Sequence, residues 1–258
     1  MDEIYNYPLY YDIAFGYRNI SQEVRELERC FEVFGERPVK SILELGCGSA
    51  PHMLQLLQRQ YHYSGLDISQ AMLDYARGKA AKAGWRPPLF LGDMVEFSTP
   101  EPVDAILIML GSLYVKSTQE LLTHLNSVAE ALHPGGLYIL DWCIDFEPLG
   151  NKSQHWQEKR GGVTVDVHYR TAVREAAEQL FDERITLDVS DQGRQRVIEN
   201  HSLRRAIYPQ EFLLALQLTP GLQFVGWFQD WNIDRSLDHC KRVERPIIVV
   251  RRPLYEPE

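Results

Sequence analysis

The segment Val103–Leu110 (VDAILIML) contains one polar residue in eight. A strand with water on one face alternates apolar and polar side chains, so a run like this needs cover on both faces. Such strands belong to parallel sheets, whose crossover helices pack over each side. The neighbouring sequence agrees. Short apolar strands at Ser41–Leu45, Tyr63–Asp67, Leu89–Leu91 and Leu137–Trp142 alternate with helical patterns at Ala50–Gln60, Ser69–Ala83 and Thr118–Leu132. Residues 18–35 place Val24, Leu27, Cys30, Phe31 and Phe34 at helical spacing. An α/β fold with helices on both faces of a mostly parallel sheet follows.

The pattern changes after residue 150. Val163, Val165 and Val167, then Ile185, Leu187 and Val189, then Val197 to Leu203, alternate with polar residues. That period marks half-exposed antiparallel strands, and three are expected as an inserted lid. Helix Pro209–Leu218 and strands Gln223–Phe228 and Pro246–Arg251 resume the α/β pattern, while the polar link Gln229–Arg245 reads as exposed. The expected division is an aromatic and helical cap over 1–36, a main domain over 37–149 and 206–258, and the lid over 150–205.

Charge and cysteines narrow the partners. With 27 lysines and arginines against 36 aspartates and glutamates, the net charge is −9. An acidic chain repels phosphate backbones, so nucleic acid is not expected and a small molecule fits better. No apolar run is long enough to span a membrane, and the first residues do not read as a secretory signal. Cys30, Cys47, Cys143 and Cys240 form no pair at metal-ligand spacing. We expect reduced thiols in a cytoplasmic protein, no metal, and a monomer or homodimer.

In an open α/β sheet the ligand lies beyond the carboxyl ends of the strands, where strand order reverses. The loop there reads ILELGCGSAP over 42–51. Gly46 and Gly48 let a ligand approach the main chain. Glu44, two residues before the first glycine, would repel a pyrophosphate and attract an ammonium or sulfonium. Pro51 stands where a dinucleotide loop has its third glycine. Asp67 follows Gly46 by 21 residues, near the spacing of a ribose-binding acid, with capping of the next helix as the lesser alternative. Asp93 and Met94 after the next strand suit an adenine, or an ordinary turn.

The order E-x-G-x-G, G-x-D, G-D-M, buried strand, L-x-P-G-G resembles the class I S-adenosylmethionine-dependent methyltransferases. The resemblance covers about Tyr10 to Asp141 and the last helix and strands. It implies a Rossmann-like sheet of seven strands, the last antiparallel. It places S-adenosyl-L-methionine, and the product S-adenosyl-L-homocysteine, against Glu44, Gly46, Cys47, Gly48, Asp67, Ile68, Met72, Asp93, Met94, Met109 and Leu110. Tyr11 would fold over the cofactor and Arg18 would reach its carboxylate. The lid resembles the cover of glycine and sugar-amine N-methyltransferases.

Methyl transfer to an N or O atom of a small molecule is then expected, by in-line displacement. The sequence names no decisive base. Tyr114 and His201 are the catalytic candidates, and Tyr10, Ser112, Tyr114, Trp142 and Tyr169 the acceptor-side ones. Two alternatives remain at this level. A nicotinamide-dependent oxidoreductase needs the pyrophosphate loop that Glu44 and Pro51 oppose. A non-catalytic protein could keep the cofactor site for partner binding.

Overall fold

The computed structural model describes residues 3–255. A 3-10 turn, Glu3–Asn6, precedes α1 (Pro8–Ala14) and α2 (Ile20–Phe34). Strands and helices then alternate: β1 (Ser41–Leu45), α3 (Met53–Gln58), β2 (His62–Asp67), α4 (Gln70–Lys82), β3 (Leu89–Leu91), β4 (Val103–Ile108), α5 (Thr118–Ala131) and β5 (Leu132–Asp141). Four long strands follow, β6 (Lys152–Arg160), β7 (Val163–Glu175), β8 (Leu180–Asp191) and β9 (Arg194–Arg205). The chain closes with α6 (Pro209–Gln217), β10 (Gln223–Gln229), β11 (Asn232–Ser236) and β12 (Pro246–Arg251).

The main sheet has the order β11-β10-β12-β5-β4-β1-β2-β3. Strands β1 to β5 pair in parallel, and β12 inserts antiparallel between β5 and β10. Strand order reverses between β1 and β4, so a crevice opens beyond their carboxyl ends. Every residue of β4 is buried, as its apolar run requires. Leu107 and Ala105 face the core under α2, α3 and α4, while Ile106 and Ile108 face the core under α5 and α6. The polar exception, Asp104, accepts bonds from the Lys40 and Ser41 amides at 2.8 and 2.9 Å and meets Arg37 Nε at 2.8 Å. It sits at the end of β4 away from the crevice, where its burial costs nothing in ligand access.

Helix caps follow the side chains. Asn19 caps α2, Ser69 caps α4 and Ser117 caps α5, each through its side-chain oxygen. Val24, Leu27, Cys30 and Phe31 bury one stripe of α2, each large side chain contributing about 1.5–3 kcal/mol. No helix among the described residues is long and apolar enough to cross a membrane.

Three expectations need correction. The main sheet has eight strands, not seven, because the link after β10 folds into the edge strand β11. That link is not wholly exposed: Trp231, Ile233 and Leu237 are buried, and Ile233 joins the core beside α2. The lid has four strands, in the order β6-β7-β8-β9, where three were expected. Strand β6 (KSQHWQEKR) shows no apolar alternation because it is an edge strand with Trp156 as its one apolar contact. Inward Val163, Val165, Val167, Ile185 and Leu187 pack against Ile13 and Ala14 of α1.

Candidate active site

The loop after β1 turns sharply, with φ of +61° at Gly46 and +52° at Gly48. Side chains rarely adopt that region, and space is also short. A Cβ on Gly46 would lie 2.8 Å from Met94 Cε and 3.4 Å from Ser112 Cβ. The Cys47 amide donates to Leu66 O, and the Gly48 amide to Asp67 Oδ2 at 2.7 Å. Asp67 Oδ1 accepts from the Ser69 amide at 2.7 Å. Burial raises the Asp67 pKa, and these amides act against the rise.

The loop floors a cavity of about 220 Å³ at the crevice between β1 and β4. Tyr11, Phe15 and Arg18 close it from the amino-terminal side; Glu44, Met109, Leu110 and Ser112 line it from the strand ends. Asp12 holds the roof in place. It accepts from Ser49 Oγ at 2.7 Å, Tyr75 OH at 3.2 Å and Arg160 at 2.7 Å, and Lys79 Nζ lies 3.4 Å away. Burial works against its charged form, but Lys79, Ser49 and Arg160 prevail and lower its pKa. One carboxylate thus ties α1 to the glycine loop, α4 and lid strand β6.

Beneath the cavity runs a buried network of charges. Glu23 meets Arg18, His52 Nε2 at 2.8 Å and Arg245 at 3.1 Å. His52 Nδ1 faces Glu44 Oε1 at 3.5 Å, a charge contact rather than a hydrogen bond, and Tyr63 OH donates to Glu44 Oε2 at 2.7 Å. Burial opposes charge on His52, yet Glu23 and Glu44 outweigh it and raise the pKa. Burial likewise opposes ionisation of Glu23, but His52 and Arg18 hold its carboxyl down at about 2. Arg245 also clamps Asp141 at 2.8 and 2.6 Å. Asp141 in turn accepts the Leu110 amide at 3.0 Å, and its carbonyl accepts the Gly111 amide at 2.8 Å. The network therefore sets the turn that lines the cavity (Leu110 at φ +54°, Gly111 at +66°).

A second polar cluster lies under the lid. Buried Glu183 of β8 accepts from Tyr114 OH at 3.1 Å, Tyr169 OH at 3.0 Å and Arg204 at 3.1 Å. The Arg204 guanidinium stacks 4.3 Å over the Tyr114 ring and donates to Gly111 O. Burial pushes the Tyr114 hydroxyl up to about 12, despite Arg204. It is therefore a neutral hydrogen-bonding group near pH 7, not a ready base.

Residues 42–136 match the profile of the family described as "Methyltransferase domain". Over 102 residues it is 32% identical to the dTDP-3-amino-3,4,6-trideoxy-alpha-D-glucopyranose N,N-dimethyltransferase of Streptomyces venezuelae, covering 39% of this chain and 41% of that one. A putative methyltransferase of Bacillus subtilis (strain 168) is 32% identical over 109 residues, 41% of this chain and 43% of that one. The chain thus spans about two fifths of the length of these curated relatives. Likeness in fold reaches further. A Clostridium acetobutylicum S-adenosylmethionine-dependent methyltransferase structure superposes with a TM-score of 0.76 at 20% identity, covering 95% of this chain and 96% of that one. Streptomyces venezuelae DesVI gives 0.75 at 22% identity, with 94% and 96% covered.

The structure brings together many of the expected residues and separates others. Tyr11, Arg18, Glu44, Gly46, Cys47, Gly48, Met109, Leu110 and Ser112 all line the cavity. The Cys47 thiol, however, faces the sheet, since a Cβ on Gly65 would fall 2.8 Å from its Sγ. Asp67 and Met94 border the cavity through Gly48 and Gly46. Met72 is buried in α4, Ile68 is 61% exposed, and exposed Asp93 accepts the Val95 amide. Tyr10 donates to lid Asp191 at 3.0 Å, away from the cavity lining. Tyr114 and Tyr169 meet at Glu183. Trp142, at φ +60°, lines a separate cavity of about 230 Å³ with Arg242 and Glu244.

His201 is withdrawn as a catalytic candidate. It is half exposed on the lid face opposite Asn200 and Arg204, 3.6 Å from Glu199, because side chains alternate along β9. Sequence reasoning missed Asp12, Glu23, Glu183 and Arg245. Each is a charged residue on an amphipathic element or polar link, where solvent exposure is the default reading. Their partners lie far away in sequence, such as Asp141 for Arg245.

Proposed function

We propose that this cavity binds S-adenosyl-L-methionine and that the chain transfers its methyl group to the nitrogen of a small-molecule amine. The observation that carries the reading is the convergence of three features at one sheet switch point. They are the left-handed glycine turn, the Asp67 carboxylate tied to its Gly48 amide, and the Tyr11 roof over a 220 Å³ cavity. The donor set fits the cofactor. Asp67 offers carboxylate oxygens to two ribose hydroxyls. Glu44 places negative charge beside a cationic ligand. Arg18 uses Nε and Nη2 on Glu23, and among the described residues no partner meets its Nη1, which suits a carboxylate. Met94 packs at Gly46, where an adenosine would rest.

Bound there, the cofactor supplies an already activated electrophilic methyl group. The protein's part is then to align, to exclude water and to manage one proton. Tyr11 and Phe15 exclude water from above. Met109, Leu110 and Ser112 line the strand-end side of the cavity. The acceptor side falls to the Tyr114–Glu183–Tyr169–Arg204 cluster under the lid, with Ser112 next to it; Tyr114 positions the acceptor by hydrogen bonding. An amine attacks as its neutral form, so no strong base is required, which agrees with the raised Tyr114 pKa. An amine acceptor also agrees with the N,N-dimethyltransferase names of two relatives, both acting on dTDP-amino sugars.

The cap, main domain and lid divide as 1–36, 37–149 with 206–258, and 150–205. The net charge of −9 supports a small-molecule partner over nucleic acid. Free thiols at four cysteines, three of them buried, support a reducing, cytoplasmic setting for a monomer or homodimer. The test is transfer of an isotopically labelled methyl group to a panel of amino sugars and other small amines, read by mass spectrometry. A methylated amine and S-adenosyl-L-homocysteine in equal amounts is the expected result. Labelled alcohol products without labelled amines would reject the nitrogen acceptor. Tight cofactor binding without transfer to any acceptor would reject the enzyme.

A further inference from the structure

The outer face of the lid carries a cluster that the cavity does not use. His155 on β6 and His168 on β7 stand directly opposite each other in the antiparallel register. Their rings are nearly parallel, at 17°, with centroids 4.7 Å apart. Asp166 lies two residues before His168 and so shares its face. Its carboxylate bonds His155 Nε2 and accepts from Gln157 Nε2 at 2.6 Å. On β8, Asp188 is the register partner of Asp166, and its Oδ2 is 3.4 Å from His168 Nε2. One ligand atom each from His155, Asp166 and His168 lies within 4.8 Å of the other two.

We propose that His155, Asp166 and His168 form a binding site for a divalent transition-metal ion of the zinc class, with Asp188 beside it. The donor set is the first argument. Two imidazoles and a carboxylate suit zinc, nickel, cobalt or copper, and do not suit magnesium or calcium, which prefer oxygen alone. Geometry is the second. Tetrahedral bonds of about 2.0–2.1 Å set ligand atoms roughly 3.4 Å apart. Closing from at most 4.8 Å needs side-chain rotation but no change of strand register. Charge is the third. Asp166 and Asp188 face each other across β7 and β8 beside two imidazoles, and a dication offsets the repulsion between the carboxylates. Fourth, the ligands stand on adjacent strands of one sheet, so their spacing is held before the ion arrives. Cysteine spacing pointed to no metal, but here the ligands pair across strands and leave no linear motif.

The site has a structural consequence. Strand β6 is the edge of the lid, and its other contacts reach the cavity roof. Trp156 Nε1 donates to Ala14 O at 2.7 Å, and Arg160 pairs with Asp12 at 2.7 Å. An ion joining His155 to β7 therefore staples the strand that holds α1, the helix carrying Tyr11. This inference stands apart from the cofactor reading, because the ligands are remote from the cavity lining.

The test is equilibrium dialysis of the chelator-treated full chain against zinc, with magnesium as control, at pH 7.5. One zinc per chain is expected, with no displacement by magnesium. His155→Ala and His168→Ala should each weaken uptake at least roughly tenfold. Both side chains are about half exposed, so the variants should keep the wild-type circular dichroism spectrum. Zinc should raise the wild-type Tm and leave that of the double variant unmoved. Absence of stoichiometric uptake by the wild type overturns the site. Unchanged uptake by the double variant also overturns it, and loss in Cys240→Ser alone would assign the ion to that exposed thiol instead.

Discussion

Replacing Glu23 by glutamine removes one charge from the network beneath the cavity while changing almost none of its volume. The Glu23 carboxyl is held at about 2, against an ordinary 4.5. Burial raises it, and the His52 and Arg18 contacts more than offset the rise. The gap between those values corresponds to about 3 kcal/mol of folding stability at pH 7. A depressed carboxyl contributes stability that is fully present above the unfolded value and lost as pH falls through the folded one. The contribution should therefore hold down to about pH 5 and fall to about 1 kcal/mol at pH 3. Glu23→Gln should lose about 3 kcal/mol at pH 7, within the range for breaking a buried ion pair. The Tm should drop by roughly 6–12 °C, at about 2–4 °C per kcal/mol for a chain of this size. Urea unfolding followed by tryptophan fluorescence, at pH 7 and pH 3, measures both limbs. A loss under about 1 kcal/mol at pH 7 refutes the reasoning. So does a loss that is equally large at pH 3, which would point to packing instead of charge.

Three further outcomes follow from the same geometry. The His52 pKa is raised, so its contribution is present below about 6.5 and lost as pH rises through the folded value; His52→Asn should flatten the decline in wild-type stability on the alkaline side, measured by urea unfolding across pH 6 to 9. Gly46→Ala should cost about 1–2 kcal/mol for its φ of +61° and weaken S-adenosyl-L-homocysteine binding at least tenfold, because the added Cβ meets Met94 Cε at 2.8 Å; calorimetry reads both effects. His201→Ala should leave kcat and KM within about twofold of wild type in the labelled-methyl assay, since that side chain faces away from Arg204 and the cavity.

What the sequence revealed and what it hid divide along a physical line. Strand β4 was legible because full burial demands an apolar run. The tight turn at Gly46 and Gly48 was legible because two glycines in one short loop mark backbone that side chains rarely adopt. The edge strands β6 and β11 were not. Strand β6 buries no side chain fully and β11 only Ile233, so no periodic pattern marks them. The charge network was hidden for a different reason. Glu23 and Arg245 are ordinary surface types until the fold brings Arg18, His52 and Asp141 around them. Glu183 alternates correctly with Phe181 and Ile185 on the inner face of β8, but a carboxylate at an inward position reads as a break in the pattern. For His201, alternation gives two possible faces, and only the observed register chooses between them.

The central claim is that the glycine loop and Asp67 bind S-adenosyl-L-methionine. Isothermal calorimetry of that ligand on the wild type and on Asp67→Asn tests it most directly. Asparagine keeps the size and one acceptor oxygen, so one of the two amides that bond Asp67, of Gly48 and Ser69, retains its partner and the other loses it. One binding event per chain is predicted, weakened at least roughly tenfold in the variant through loss of charge-assisted bonds to the ribose and to one loop amide, with a wild-type circular dichroism spectrum and a lowered Tm. No measurable binding by the folded wild type, or equal affinity in the two proteins, would contradict the account.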